Sequence, residues 1–164
     1  MRFYKWLCSF SKPAPLALAK PPDLSNDLFI AINDERTSRG ISKLRLNAKL
    51  TIAANRHAQW MIDNNIMSHI GVDGNTVLDR AKQEKYYASV IGENISYGYL
   101  YVASIMASWM ASGGHRRNML SKAYTEIGVA EVNKYWCVVY ADRSGSTEDV
   151  MIHYSGSLHA PLSG

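Results

Sequence analysis

The chain has few cysteines for its 164 residues: Cys8 and Cys137 are the two that it contains. Two thiols are too few for a metal cluster built from cysteines, and nothing in their spacing pairs them. We therefore expect the fold to stand without a disulfide framework. Cys137, in an apolar strand, is expected to be a small buried hydrophobic residue.

Long apolar runs are also missing. No stretch approaches the ~18 apolar residues that a membrane-spanning helix needs, so we predict no transmembrane segment. The apolar content of 47% and the four tryptophans fit the packed core of one domain.

The positive charge of the chain is concentrated at its N-terminus. Residues 1–22 contain four basic residues and no acidic one, which leaves 14 basic against 14 acidic residues in the remainder (18 minus 4, and 14). A nucleic-acid partner requires a basic patch on the folded surface. The balanced charge of the remainder gives no reason to expect such a patch, so we expect no nucleic-acid partner. Residues 1–22 are interpreted as a basic leader, whose apolar segment is too short for a convincing signal peptide.

Several catalytic motifs are absent as well. The sequence has no H-E-x-x-H, no C-x-x-C, no Walker-type phosphate loop and no G-x-S-x-G elbow. Serines lie near histidines in the sequence, but adjacency alone does not make a catalytic triad.

Helical spacing of apolar residues predicts four helices. The first runs from Asp23 or Ser25 to Gly40, and the second follows Asn47 and ends near Asn64-Asn65. A short third helix follows Asp73-Gly74-Asn75. The longest amphipathic helix is expected over residues 102–110, ending at Gly113-Gly114 before a turn at 116–120.

Strand signals predict a small antiparallel sheet. Residues 127–132 and 135–140 form a hairpin through Asn133-Lys134, whereas 92–98 is interpreted as a turn leading into a short extended piece. The expected class is α+β, a sheet flanked by helices. The domain is placed at 23–143, and 144–164 is interpreted as a flexible tail rich in Ser and Gly, within which Val150-Met151-Ile152 could pack locally.

Three polar residues far apart in the chain could carry chemistry: His69, Glu93 and His115. A neutral imidazole binds metal or shuttles a proton near neutral pH, and a carboxylate beside it can ligate, act as a base or fix its tautomer. We expect the three to meet in one solvent-accessible pocket. The structural alternatives are a turn histidine, a turn glutamate and a histidine at a helix end.

Two further residues are secondary candidates. His57 lies on the apolar face of its helix, where a hydrogen-bonded core histidine is the ordinary interpretation. Glu126, at the start of a strand, is a possible fourth polar member or simply a solvated edge residue.

Ordered motifs over residues 25–142 resemble the CAP superfamily of cysteine-rich secretory, antigen 5 and pathogenesis-related proteins, and its bacterial SCP-like branch in particular. The matching residues are Ile32-Asn33-Asp34-Glu35-Arg36 with Gly40 and Leu44, then Asn47, Leu50, Ala54, His57-Ala58 and Met61, then Ser68-His69 and Gly92-Glu93-Asn94-Ile95, then Trp109-Met110, Ser112, Gly114-His115-Arg116, Asn118 and Leu120, and last Glu126-Ile127-Gly128-Val129.

This resemblance implies a three-layer α-β-α sandwich with a central cleft. In many members two histidines and two glutamates line that cleft and hold a divalent metal, here Zn²⁺ or Mg²⁺. By motif, His69, Glu93 and His115 take three of these places. Ser112 stands where the second glutamate lies in eukaryotic members, so the site is more open unless Glu126 or water completes it.

The resemblance implies three functions without deciding among them. The first is a secreted, extracellular binding or effector module that takes a small molecule, lipid or peptide in the cleft. The second is a metal-dependent hydrolase of peptide or cell-wall substrates, with Glu93 as general base. The third is a lipid or sterol carrier with a groove formed by apolar residues of the first and fourth helices or of the leader.

Overall fold

The computed structural model of the protein describes residues 23–143 and the backbone of residues 151–155. The leader 1–22 lies outside the described residues, as do residues 144–150 and 156–164. The described helices are α1 (Leu24–Ser38), α2 (Ala48–Asp63), α3 (Val77–Gln83), α4 (Val102–Ala111) and α5 (Gly113–Leu120). The strands are β1 (Arg45–Leu46), β2 (Val90–Tyr97), β3 (Glu126–Val132), β4 (Tyr135–Asp142) and β5 (Met151–Ser155).

The strands form one sheet in the order β1-β3-β4-β2-β5. The central strand β4 is antiparallel to its neighbours β3 and β2, while β1 pairs with β3 and β5 pairs with β2 in parallel. The predicted hairpin is confirmed, and both residues of its turn, Asn133 and Lys134, have positive φ. That geometry matches the twist of the strands on either side.

Helices cover both faces of the sheet, as the predicted sandwich requires. On one face, residues of α2 and α3 pack against Ile91 and Ile95 of β2 and Cys137 of β4. On the other face, α1, α4 and α5 pack against Trp136 and Val138 of β4. The alternation of β4 side chains between the two cores follows from the two-residue period of a strand.

Polar residues at the helix starts fix where two of the helices on the first face begin. The side chain of Asn47 accepts hydrogen bonds from the first amides of α2. Thr76 and Asp79 form a reciprocal capping box at the start of α3. In the described part of the chain, no helix is long and apolar enough to cross a membrane.

Three local predictions are corrected. Residues 92–97 of the segment predicted as a turn belong to β2, whose two edges pair with β4 and β5. Residues 116–120 are helical in α5, and α2, with 16 residues, is longer than α4, with 10. Within the segment interpreted as a tail, the backbone of residues 151–155 forms β5 and pairs with β2, near the residues that the sequence allowed to pack locally.

Candidate functional site: a buried ion cluster beside an open pocket

His69 and Glu93 are in direct contact. His69 lies in the loop after α2, and its Nδ1 donates to Oε1 of Glu93 at 2.7 Å, because a carboxylate oxygen only accepts. The two residues are 2% and 0% exposed. The pair therefore lies beneath the surface and not in the solvent-accessible pocket that the sequence led us to expect.

Arg80 of α3 is the third member of this cluster, and sequence analysis missed it. Its Nη2 donates to Oε2 of Glu93 at 2.5 Å, and its Nη1 donates to the carbonyl oxygen of His69 at 3.2 Å. A signal for it was present: Arg80 follows Val77 by three residues, the spacing of one helix face, and both are buried. An arginine is rarely assigned to a core face unless its partner is known.

These contacts keep Glu93 ionised. Burial raises the pKa of Glu93, but the charge of Arg80, the positive charge that His57 carries in acid and the hydrogen bond from His69 outweigh burial and lower that pKa to about 2. A general base works best with a pKa near the operating pH. Glu93 has neither that pKa nor an oxygen that a substrate can reach.

Cys137 lies against the same carboxylate. Its Sγ is 3.5 Å from Oε2 of Glu93. Burial, together with that negative charge, raises the pKa of the thiol well above its ordinary value. Cys137 is thus an inert, buried residue, as the sequence predicted.

His115 lies across the sheet from the cluster. Adjacent residues of a strand point to opposite faces, and whereas Glu93 contacts α3, the amide of Asn94 donates to the carbonyl oxygen of His115 at 3.2 Å. The ring of His115 stacks on Trp109 of α4, with centroids 5.6 Å apart. The structure therefore does not assemble the predicted set of His69, Glu93 and His115.

The donor set does not fit a divalent metal. Among the described residues, no group of three or more His, Cys, Asp or Glu side chains is arranged to hold one. The guanidinium of Arg80 already supplies the positive charge at Glu93. We therefore place neither Zn²⁺ nor Mg²⁺ at these residues.

The other two candidates have separate places. Ser112 joins α4 to α5, and its carbonyl oxygen accepts from the amide of Arg116 at 2.9 Å. Glu126 centres a second polar cluster, in which it accepts from the Tyr86 hydroxyl at 2.6 Å and from the Asn47 side chain at 3.0 Å. Arg143 adds an ion pair there. This cluster connects the start of α2 to β3.

An open pocket of about 290 Å³ lies between α2 and α3, next to the buried cluster. Its walls include apolar residues and two buried polar ones: Ala53, Trp60 and Val72, with His57 and Arg80. An ion pair between Arg56 and Glu84 joins the two helices at its edge. The pocket and the cluster share Arg80, which lines one and neutralises the other.

His57 lies within the wall of this pocket. It is 1% exposed, and its Nε2 donates to the carbonyl oxygen of Ser68 at 2.7 Å. Burial lowers the pKa of His57 to about 4. The imidazole is therefore neutral at physiological pH.

Comparison with known proteins agrees with this architecture. The CAP family, described as the cysteine-rich secretory protein family, matches residues 29–140, which is more than half of the chain. The chain belongs to this family. It is 31% identical to the membrane protein YlbC of Bacillus subtilis over 101 residues, which cover 62% of this chain and 29% of that protein.

A second protein of Bacillus subtilis and one solved structure are also similar to this chain. The chain is 32% identical to YkwD of Bacillus subtilis over 100 residues, 61% of this chain and 39% of that protein. It thus spans less than half the length of either Bacillus subtilis relative. The fold is also similar to the crystal structure of an extracellular protein from Bacillus anthracis that contains an SCP domain. The TM-score is 0.70 and the identity is 26%, over 73% of this chain and 40% of that one.

Proposed function

We propose that this CAP domain is a non-catalytic binding module whose ligand occupies the pocket between α2 and α3. The observation that carries the proposal is the state of Glu93, whose carboxylate is fully buried and bonded through both oxygens. A carboxylate held in this way stabilises the fold. The neighbouring pocket, in contrast, is open and has the size of a small-ligand site.

The alternative of a metal-dependent hydrolase is less well supported. It needs a metal held by the two histidines and a base with a pKa near neutrality. His115 lies on the other face of the sheet, and the pKa of Glu93 is lowered to about 2. Both requirements conflict with the geometry.

A lipid groove between α1 and α4 is likewise disfavoured. The apolar residues that would form it, Leu28 and Ile32 of α1 with Ile105 and Trp109 of α4, are at most 1% exposed. They fill the space between the helices and the sheet. A lipid would have to displace this core.

We further propose that the module acts outside the cytoplasm. The support is the similar domain of the Bacillus anthracis protein, which is described as extracellular. Fractionation of the native host, with detection by an antibody, tests this point. Recovery from the cytosol alone would contradict it.

A fragment titration followed by ¹⁵N NMR tests the binding function. The library contains anionic, cationic and neutral fragments, and those that bind should shift amides of α2, α3 and the turn at 71–75. Val72, 50% exposed, lines the pocket, so Val72→Trp should block binding without disturbing the core. Ile52→Trp, at an α2 position of similar exposure outside the pocket lining, is the matched control and should bind as the unmodified protein does.

Two results would overturn the proposal. One is fragment binding that Val72→Trp leaves unchanged, or no binding at all in this region. The other is turnover of a peptide or glycan panel that a folded Glu93→Gln variant loses, since this would make Glu93 a catalytic residue.

A further inference from the structure

Two buried polar atoms in the pocket wall have no hydrogen-bond partner among the described residues: Nδ1 of His57 and Nε of Arg80. The residues are 1% and 5% exposed. Buried polar groups in folded proteins are nearly always hydrogen-bonded, so an exception calls for an explanation. Both atoms belong to residues that line the same pocket.

The two atoms have complementary hydrogen-bonding roles. Because Nε2 of His57 donates to the carbonyl oxygen of Ser68, Nδ1 of the neutral ring carries a lone pair and accepts. Arginine has no acceptor, so Nε of Arg80 can only donate. The Nη1 and Nη2 atoms of Arg80 are already bonded to protein oxygens, among them those of Asn75 and Glu93.

The backbone of Gly71 leaves room beside the acceptor. A Cβ at this position would lie 3.4 Å from Nδ1 of His57 and 2.5 Å from Oδ1 of Asn75. Any side chain at 71 would therefore crowd this side of the imidazole. The ring of Trp60, which also lines the pocket, stacks parallel to the imidazole of His57 with an interplanar angle of 7°. It therefore gives the space beside His57 a flat aromatic wall.

We propose that the pocket binds a neutral secondary amide, with its N–H donating to Nδ1 of His57 and its carbonyl oxygen accepting from Nε of Arg80. This inference rests on the proposed binding function and names the chemical class of the ligand. An amide offers one donor and one acceptor in a single plane, which is the pairing that these two atoms lack.

The charges around the pocket favour a neutral group. A carboxylate would meet the lone pair of His57 and the charge of Glu84, whereas an ammonium would meet Arg80 and Arg56. Apolar parts of the ligand would lie against Ala53, Trp60 and Val72. The ligand is therefore expected to be an N-acyl compound with a compact body.

Two sources of such an amide are distinguished by the choice of probes. N-acetylphenylalaninamide represents a blocked amino acid, and N-acetylglucosamine represents an acylated sugar. Ethyl 3-phenylpropanoate and glucose are their partners without the amide. Binding is measured by ¹⁵N NMR titration of the full chain at pH 7.

We expect at least one amide probe to bind ten or more times more tightly than its partner without the amide, with the largest shifts at 57, 71 and 80. Which amide binds identifies the source. His57→Phe keeps a flat ring beside Trp60 but removes the acceptor, and it should weaken amide binding at least tenfold. Gln59→Ala, at an exposed position of α2 outside the pocket lining, is the control and should bind as the unmodified protein does.

A second variant covers the case in which His57→Phe does not fold. Gly71→Ala keeps His57 and should also weaken the amide, because its Cβ crowds Nδ1. Equal binding of the amides and their partners, or amide binding unchanged in His57→Phe or Gly71→Ala, would overturn this inference. If only the amide-free probes bind, the binding function stands and the amide class fails; if no probe shifts the pocket, both fail.

Discussion

At the scale of single residues, Arg80 is central because it contacts both the buried cluster and the pocket. Its Nη2 donates to Glu93, and the residue lines the pocket together with His57. An ion pair at this depth has lost its hydration on both sides, so removing one partner leaves the other charge uncompensated.

We expect Glu93→Gln to lower the free energy of unfolding by about 3–5 kcal/mol for this reason. Urea denaturation followed by circular dichroism measures the loss. Glu35→Gln is the control, since Glu35 makes a surface pair with Arg39 and should change stability by about 0.5 kcal/mol or less. A loss for Glu93→Gln no larger than that of the control would show that the cluster does not support the fold.

Residue identity in the cluster was only partly predictable. The motifs identified His69 and Glu93 as candidates, and the structure places them in contact. Because 92–98 was treated as a turn, the sequence analysis did not recognise that Glu93 and Asn94 are adjacent residues of one strand, whose side chains point to opposite faces. That alternation sends Asn94 towards His115 and Glu93 towards Arg80.

At the scale of elements, α2 and β3 pack closely at Gly128. A Cβ on Gly128 would lie 2.1 Å from the backbone carbon of Leu50 and 2.4 Å from the amide nitrogen of Thr51. These are backbone atoms of a helix, which cannot move aside as a flexible side chain can. Only glycine permits this contact.

Gly128→Ala should therefore push α2 away from the sheet and cost about 3 kcal/mol of stability. Thermal unfolding followed by circular dichroism measures the effect. Gly113→Ala, where the added carbon meets nothing within 4 Å, should stay within about 1 kcal/mol of the unmodified protein. Equal melting temperatures for the two variants would mean that the helix relaxes without cost.

Elements defined by local signals were predictable, and those defined by distant partners were not. The hairpin of β3 and β4 was predicted from a two-residue turn between apolar runs. The parallel pair of β2 and β5 brings Val90 opposite Met151, far along the chain. No local sequence pattern predicts a pair between strands so far apart in the chain. The Ser- and Gly-rich sequence around 151–155 instead indicated a tail.

At the scale of the whole molecule, the free energy of unfolding should decrease in acid because two buried groups, His57 and Glu93, have lowered pKa values. The pKa of His57 falls from 6.5 to about 4 on folding, and that of Glu93 falls from 4.5 to about 2. Between pH 6.5 and 4 the unfolded chain binds a proton at His57 that the folded protein does not. The stability from neutral His57 is thus present above pH 6.5 and is lost as the pH falls towards 4.

We expect the free energy of unfolding to fall by about 3 kcal/mol between pH 7 and pH 4 from His57. Glu93 should add a further loss below pH 4.5. Urea titrations at pH 7, 5.5 and 4 measure the slope, and His57→Phe should remove the His57 contribution. An identical slope in that variant would assign the pH dependence to other groups.

The layered architecture as a whole was predictable, because apolar periodicity and the ordered motifs both indicate helices on a sheet. The position of the pocket between α2 and α3 could not be predicted in this way. Its position depends on which side of the sheet each polar residue faces, and a shift of one residue in strand phase reverses that side.

All eight residues of β4 are buried, and β3 and β2 pair with both of its edges. Its backbone amides should therefore exchange with deuterium only when the entire domain opens. A compound that binds the native pocket makes such openings rarer in proportion to its occupancy. The innermost strand would then report on ligands that it never touches.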